Sequence, residues 1–200
     1  MVQKERRSLA GRPEATTHGA IEQAAFELFA ERGFDATTLE AIAERVGVGR
    51  RTLFRYYASK NDIPWGQFDL TLAGFRDILA GMPEDLPLRD AVHRGVVAFN
   101  DFPADAQPPH TERMRLILRT PALQAHSVIR YAEWRGVIAE YVAVRRGLAP
   151  DDLLPRTVGQ VSLALALSAY EQWLDHPGSS LRDTLDQAMA ALVHHVADSP

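Results

Sequence analysis

The sequence predicts an all-α fold, an N-terminal three-helix helix-turn-helix unit followed by a larger helical domain. Three observations predict it. Apolar residues recur at three- and four-residue steps, the strict alternation of half-buried strands is missing, and prolines and glycines cut the pattern into helix-length pieces. No internal repeat of solenoid length appears.

Residues 1–13 are polar and basic (Lys4, Arg6, Arg7, Arg12) and, with the two residues after them, read as a flexible arm over 1–15. Thr16 or Thr17 then supplies an N-cap, and Ile21, Ala24, Ala25, Leu28 and Phe29 form the apolar stripe of a first helix that Gly33 stops. Phe34 packs back. Thr37-x-x-Glu40 reads as a capping box for a second helix whose Leu39, Ile42, Ala43 and Val46 face inward, with Gly47 ending it. A third helix follows from Arg50 to Tyr57, Leu53 inward and its arginines outward, and Ser59 offers the next cap. Two short helices joined by a tight glycine turn and braced by an earlier one make a DNA reader over residues 16–60.

Residues 61–200 form the second domain, with helices expected near 62–81, 88–101, 111–119, 122–146, 152–175 and 180–197, separated by proline and glycine. Pro64 falls in the first of these. It reads either as a harmless first-turn proline or as a bend where ligand binding shifts the reader.

The chain is 46% hydrophobic, enough to bury a core without metal or disulfide support, and it holds no cysteine, which excludes disulfides. The N-terminus lacks the apolar run of a signal peptide, and the stretch Val161 to Leu174 is too short to span a bilayer. A cytoplasmic protein without membrane association is expected. The net charge of −4 would argue against nucleic acid if it were evenly spread, but residues 45–61 hold Arg45, Arg50, Arg51, Arg55 and Lys60 with no acid among them.

A recognition helix must offer base- and phosphate-reaching side chains on one face while the other is held rigid. Arg50 and Arg51 lie where the helix enters the major groove, and arginine grips guanine O6 and N7 through two hydrogen bonds. Thr52, Tyr56 and Lys60 suit phosphates, which set register. Thr37 and Thr38, at the start of the second helix, suit another phosphate.

The runs Ala25-Phe26-Glu27-Leu28-Phe29-Ala30-Glu31-Arg32-Gly33-Phe34, Thr37 to Ala43 and Gly47-Val48-Gly49-Arg50-Arg51-Thr52-Leu53-Phe54-Arg55-Tyr56-Tyr57 closely resemble the tetracycline-repressor (TetR) family over about fifty residues. The resemblance implies a homodimer with an N-terminal reader and a C-terminal effector domain, most such proteins being repressors that a small molecule releases. It puts base contacts on Arg50, Arg51 and Arg55, and phosphate contacts on Thr38, Thr52, Tyr56 and Lys60. Two positions depart from the usual pattern: Phe54 stands where tyrosine is usual and Tyr57 where phenylalanine is. The runs Lys60 to Asp69 and His126 to Arg135 are similar to mycofactocin-system regulators of actinobacteria, a subgroup associated with long acyl-CoA-type effectors.

For an apolar or amphipathic effector, Trp65, Phe68, Phe75, Phe99, Met114, Leu118, Ile129, Trp134 and Tyr170 are the candidate pocket residues, although aromatics at this spacing more often make plain core. Residues 111–135 hold five arginines (113, 115, 119, 130 and 135) against Glu112 and Glu133. They read either as a receiver for an anionic head group, with Arg119 and Arg130 foremost, or as surface ion pairs. The eighth helix is apolar nearly all round and the ninth carries an apolar stripe, as in a four-helix dimer seam.

No HExxH, GxSxG, Walker or GxGxxG motif occurs, and His194-His195 point apart on a helix, so no metal, cofactor or catalytic residue is expected. The competing reading is a small-molecule-binding helical protein or enzyme whose basic N-terminus is incidental.

Overall fold

The computed structural model describes residues 17–103 and 105–197; the arm expected over 1–15 lies outside them. Among the described residues every regular element is helical: α1 (His18–Arg32), α2 (Leu39–Val46), α3 (Arg50–Leu53), a 3-10 segment (Lys60–Trp65), α4 (Phe68–Ala80), α5 (Leu88–Phe99), α6 (His110–Arg119), α7 (Pro121–Arg146), α8 (Leu153–Asp175) and α9 (Leu181–Ala197).

Thr17 caps α1, its hydroxyl accepting from the Ala20 N–H at 3.1 Å. Gly47 closes α2 in the left-handed region at φ 76°, which glycine reaches without strain. The capping box expected at Thr37 does not form. Thr38 is the N-cap, accepting from Ala41 N–H at 3.1 Å, while Thr37 is buried and donates its hydroxyl to the Gly33 and Leu28 carbonyls. The turn from Phe34 fixes the shift of the cap from Thr37 to Thr38, since the Thr37 N–H returns to the Phe34 carbonyl.

Two further expectations change. α3 ends at Leu53, and Phe54 to Tyr57 continue as tightening turns. The helix expected near 62–81 splits in two. Pro64 lies inside the 3-10 segment, and Gly66 (φ 60°, ψ −143°) breaks the chain before α4 begins. The bend is therefore Gly66's, in a region essentially closed to other residues.

The reader's core gathers Ile21, Ala25, Leu28, Phe29, Ile42, Ala43 and Leu53, and it takes in Ile63 and Leu123 from beyond residue 60. The second domain packs Phe75, Leu79, Val96, Trp134, Ile138, Val142 and Leu163 at its centre. A small third cluster, Met114, Ile117, Tyr170 and Leu174, joins α6 to α8.

Candidate DNA-binding face and ligand cavity

Leu53 and Tyr57 anchor the recognition segment from below, and Arg50, Arg51 and Arg55 stand exposed on its outer side. Arg50 meets Glu40 at 2.9 Å across solvent and lies over the Phe54 ring; Arg51 and Arg55 make no ion pair with a described residue. Arg45 is turned away, held by Glu27 and Glu31 of α1. Thr52 and Tyr56 are half-buried, Tyr56 with its ring 4.8 Å from that of His18, and Thr38 is exposed at the start of α2.

Two expected phosphate contacts are not on this face. Thr37 is 1% exposed, with its hydroxyl spent on carbonyls. Lys60 buries its ammonium against the turn before α2, donating to Phe34 and Thr37 carbonyls at 2.6 and 2.8 Å with the Phe34 ring beneath. Burial pulls its pKa below the usual lysine range, the Asp35 charge opposing that only in part. Lys60 clamps the α1–α2 turn.

A cavity of about 340 Å³ opens in the second domain among α4, α5, α6, α7 and α8, under the 3-10 segment. Trp65, Phe68, Phe99, Met114, Trp134 and Tyr170 line it as expected. Phe75 does not; it is fully buried behind the wall, stacked on Trp134 and tilted against Phe99. Leu118 packs against the α6–α8 cluster, and Ile129 is 60% exposed on the outer side of α7. Neither expected arginine reaches the cavity. Arg119 pairs with Asp175 on the surface, and Arg130 bridges Asp62 at 3.0 Å and Glu133 at 3.2 Å. Of the five arginines only Arg113 lines it, and it is paired with Glu22.

The wall also holds polar groups that helical periodicity did not single out. Asn100 donates to the Val96 carbonyl, and its Oδ1 accepts the Tyr170 hydroxyl proton at 2.5 Å. That leaves the Tyr170 oxygen to accept from His110 Nε2–H at 2.8 Å, which sets the histidine tautomer. Burial, then the Arg113 charge, pushes His110 down to about 4, so the ring is neutral near pH 7. Glu22 reaches in from α1, accepting from Tyr57 Oη at 2.7 Å and from Arg113 Nη2 at 2.5 Å. Its signal in the sequence is an acid directly beside Ile21 on the inward side of α1; that of Tyr57 is the hydroxyl it adds where phenylalanine is usual.

Residues 21–63 match the profile of bacterial regulatory proteins of the tetR family, and residues 86–197 match the MftR C-terminal domain. The chain is 46% identical over 181 residues to a Mycobacterium tuberculosis protein assigned as mycofactocin biosynthesis transcriptional regulator MftR, covering 90% of this chain and 91% of that one. The chain belongs to the TetR family. Its second domain is of the MftR type. A further relative is the HTH-type transcriptional regulator TcmR of Streptomyces glaucescens, 30% identical over 164 residues, 78% of this chain and 73% of the other. Among solved structures, Thermus thermophilus FadR in complex with lauroyl-CoA superposes with a TM-score of 0.59 at 23% identity, over 88% of this chain and 93% of that one. NalD of Pseudomonas aeruginosa superposes at 0.57 and 18% identity, with 88% and 93% covered.

Membership decides between the two readings left open by the residues alone. TetR proteins are transcriptional regulators that bind operator DNA, so this chain is a regulator and not an enzyme. Among its described residues no helix is long and apolar enough to cross a membrane.

Proposed function

We propose that this TetR regulator is a cytoplasmic homodimeric repressor that a small amphipathic ligand releases from its operator. The observation that carries the DNA half is the recognition segment, cationic outward and held on a rigid core inward. Arg50, Arg51 and Arg55 read bases, while Thr38, Thr52 and Tyr56 set register on phosphates. The Arg50–Glu40 pair does not obstruct this, because an exposed ion pair is worth at most ~1 kcal/mol and exchanges readily for a guanine. The effector half is supported by the cavity, whose size falls within the ~300–1,000 Å³ of small-molecule sites and whose walls are mainly aromatic and aliphatic. An acyl chain suits such walls, and the FadR neighbour holds lauroyl-CoA. Two subunits join through α8 and α9.

The test is binding to the palindromic DNA upstream of the chain's own gene or its neighbours, followed by fluorescence anisotropy across a salt series. Tight binding that weakens steeply with salt is expected. Replacing Arg50 and Arg51 together by alanine removes two bidentate contacts worth ~1–3 kcal/mol each, which should cost roughly 30- to 25,000-fold in affinity. Full affinity in that double variant would sink the assignment of the face. A promoter fusion decides the sign: removing the protein should raise transcription, and a fall would make it an activator.

A further inference from the structure

Among the residues lining the cavity, Glu22 is the one contributed by the helix-turn-helix unit. Its carboxylate is 10% exposed and has both oxygens occupied, one by Tyr57 and one by Arg113. Tyr57 closes the recognition segment, so one buried carboxylate ties α1, the end of that segment and α6 together. Arg113 also donates to the Pro64 carbonyl at 2.6 Å, adding the 3-10 segment to the knot. Gly66 passes directly over it; a Cβ there would lie 3.2 Å from a Glu22 oxygen and 3.4 Å from Arg113 Nη1.

Glu22 and Arg113 are the charged groups in the wall, and they cancel. Their hydrogen-bonding capacities do not. The Glu22 oxygens both have donors, whereas Arg113 commits two of the five N–H groups a guanidinium carries to these partners. Three N–H donors stay uncommitted on the cation, whereas the spare lone pairs of Glu22 belong to an anion that repels another anion. An entering carboxylate would find one group able to pair it, since an unpaired charge in this apolar space is strongly disfavoured. A second carboxylate on that guanidinium crowds Glu22, and like charges at such range are not both tolerated out of water.

We propose that Arg113 anchors the head group of a carboxylate-bearing amphiphile and that Glu22 reports its arrival: the ligand takes Arg113 from Glu22, and α1 and Tyr57 lose their tie to the second domain. This rests on the cavity being the effector site. It adds the head-group chemistry and the residue through which occupancy reaches the DNA-binding face.

Decanoate and decanol, which share a chain and differ in charge, are the probes. Binding is followed by the fluorescence of the wall tryptophans and operator release by anisotropy. With the wild-type chain, decanoate should bind more tightly and should loosen operator binding within the ~5–150-fold span usual for allosteric coupling, with decanol weak in both. Glu22→Gln removes the competing carboxylate and should bind decanoate about tenfold more tightly, the scale of one hydrogen bond to a charged group, while operator release falls away. Tighter binding with lost release is what a merely structural glutamate would not give. Tyr57→Phe should keep decanoate affinity close to wild type and weaken release, and it decides the matter alone if the Glu22 variant does not fold. Unchanged release in Tyr57→Phe, no tighter binding in Glu22→Gln, or decanol acting as well as decanoate each overturns the proposal while leaving the effector site standing. If neither probe binds the wild-type chain, the effector reading falls, and this proposal with it.

Discussion

His110 stands between two demands, stacking on the Phe102 ring at 3.8 Å and donating to Tyr170 at 2.8 Å. Its ring is kept neutral down to about 4, while an unfolded chain takes up that proton near 6.5. Between those values the unfolded state binds more protons, so stability is complete above about pH 6.5 and is lost as pH falls toward 4. At 1.36 kcal/mol per unit the loss amounts to roughly 2–4 kcal/mol. His110→Gln keeps a donor for Tyr170 and does not titrate, so the midpoint of urea unfolding should fall less between pH 6.5 and 4 than in wild type. Parallel curves for the two proteins would show that His110 is protonated as freely in the fold as out of it. Asp62 illustrates the opposite balance. Burial pushes its pKa up, but hydrogen bonds from Ser59 and Arg130 and the neighbouring His126 outweigh this and hold it below the usual range.

Where α8 crosses α7, backbone meets backbone closely. A Cβ on Gly159 would lie 2.9 Å from the Arg135 carbonyl oxygen, a backbone atom that cannot swing aside. Gly159→Ala gains helix propensity of about 1 kcal/mol yet should lower stability, because prising two packed helices apart costs ~1–3 kcal/mol. Equilibrium urea denaturation measures the sign, and a stabilised variant would mean the crossing is looser than the structure has it. Helix positions of this kind were legible from punctuation: Thr17, Gly33, Gly47 and the proline clusters bound elements within a residue or two of where they fall. The split at Gly66 was not, since a proline and a glycine two residues apart announce a break without saying which residue bends. Nor could spacing separate Phe75 from Phe99, one behind the cavity wall and one in it. Both recur helically, and only the packing of α4 on α5 and α7 decides which ring meets space. Arg113 and Arg130 look alike in the sequence for the same reason, though their partners, Glu22 and Asp62, come from distant segments.

At the scale of the molecule, the proposed dimer follows from what one subunit leaves uncovered. α8 buries one side against α7 and α9, yet Val161 on it is 37% exposed, and on α9 Val193 and Val196 are 39% and 64% exposed. An apolar strip along two adjacent helices is suited to an identical strip about a two-fold axis, which places the two recognition segments one DNA turn, ~34 Å, apart. Aspartate at both Val161 and Val193 would bury four charges per dimer without partners, a cost that pairing of the strips cannot offset. Light scattering should then report a monomer of about 22.2 kDa, with helical circular dichroism retained because both positions face outward. Operator affinity should drop, and the slope of log affinity against log salt should fall by about half, since a single subunit displaces half the counterions. A dimeric double variant, or a monomer with the wild-type salt slope, would rule out this seam as the geometry that delivers the two arginine faces to DNA together.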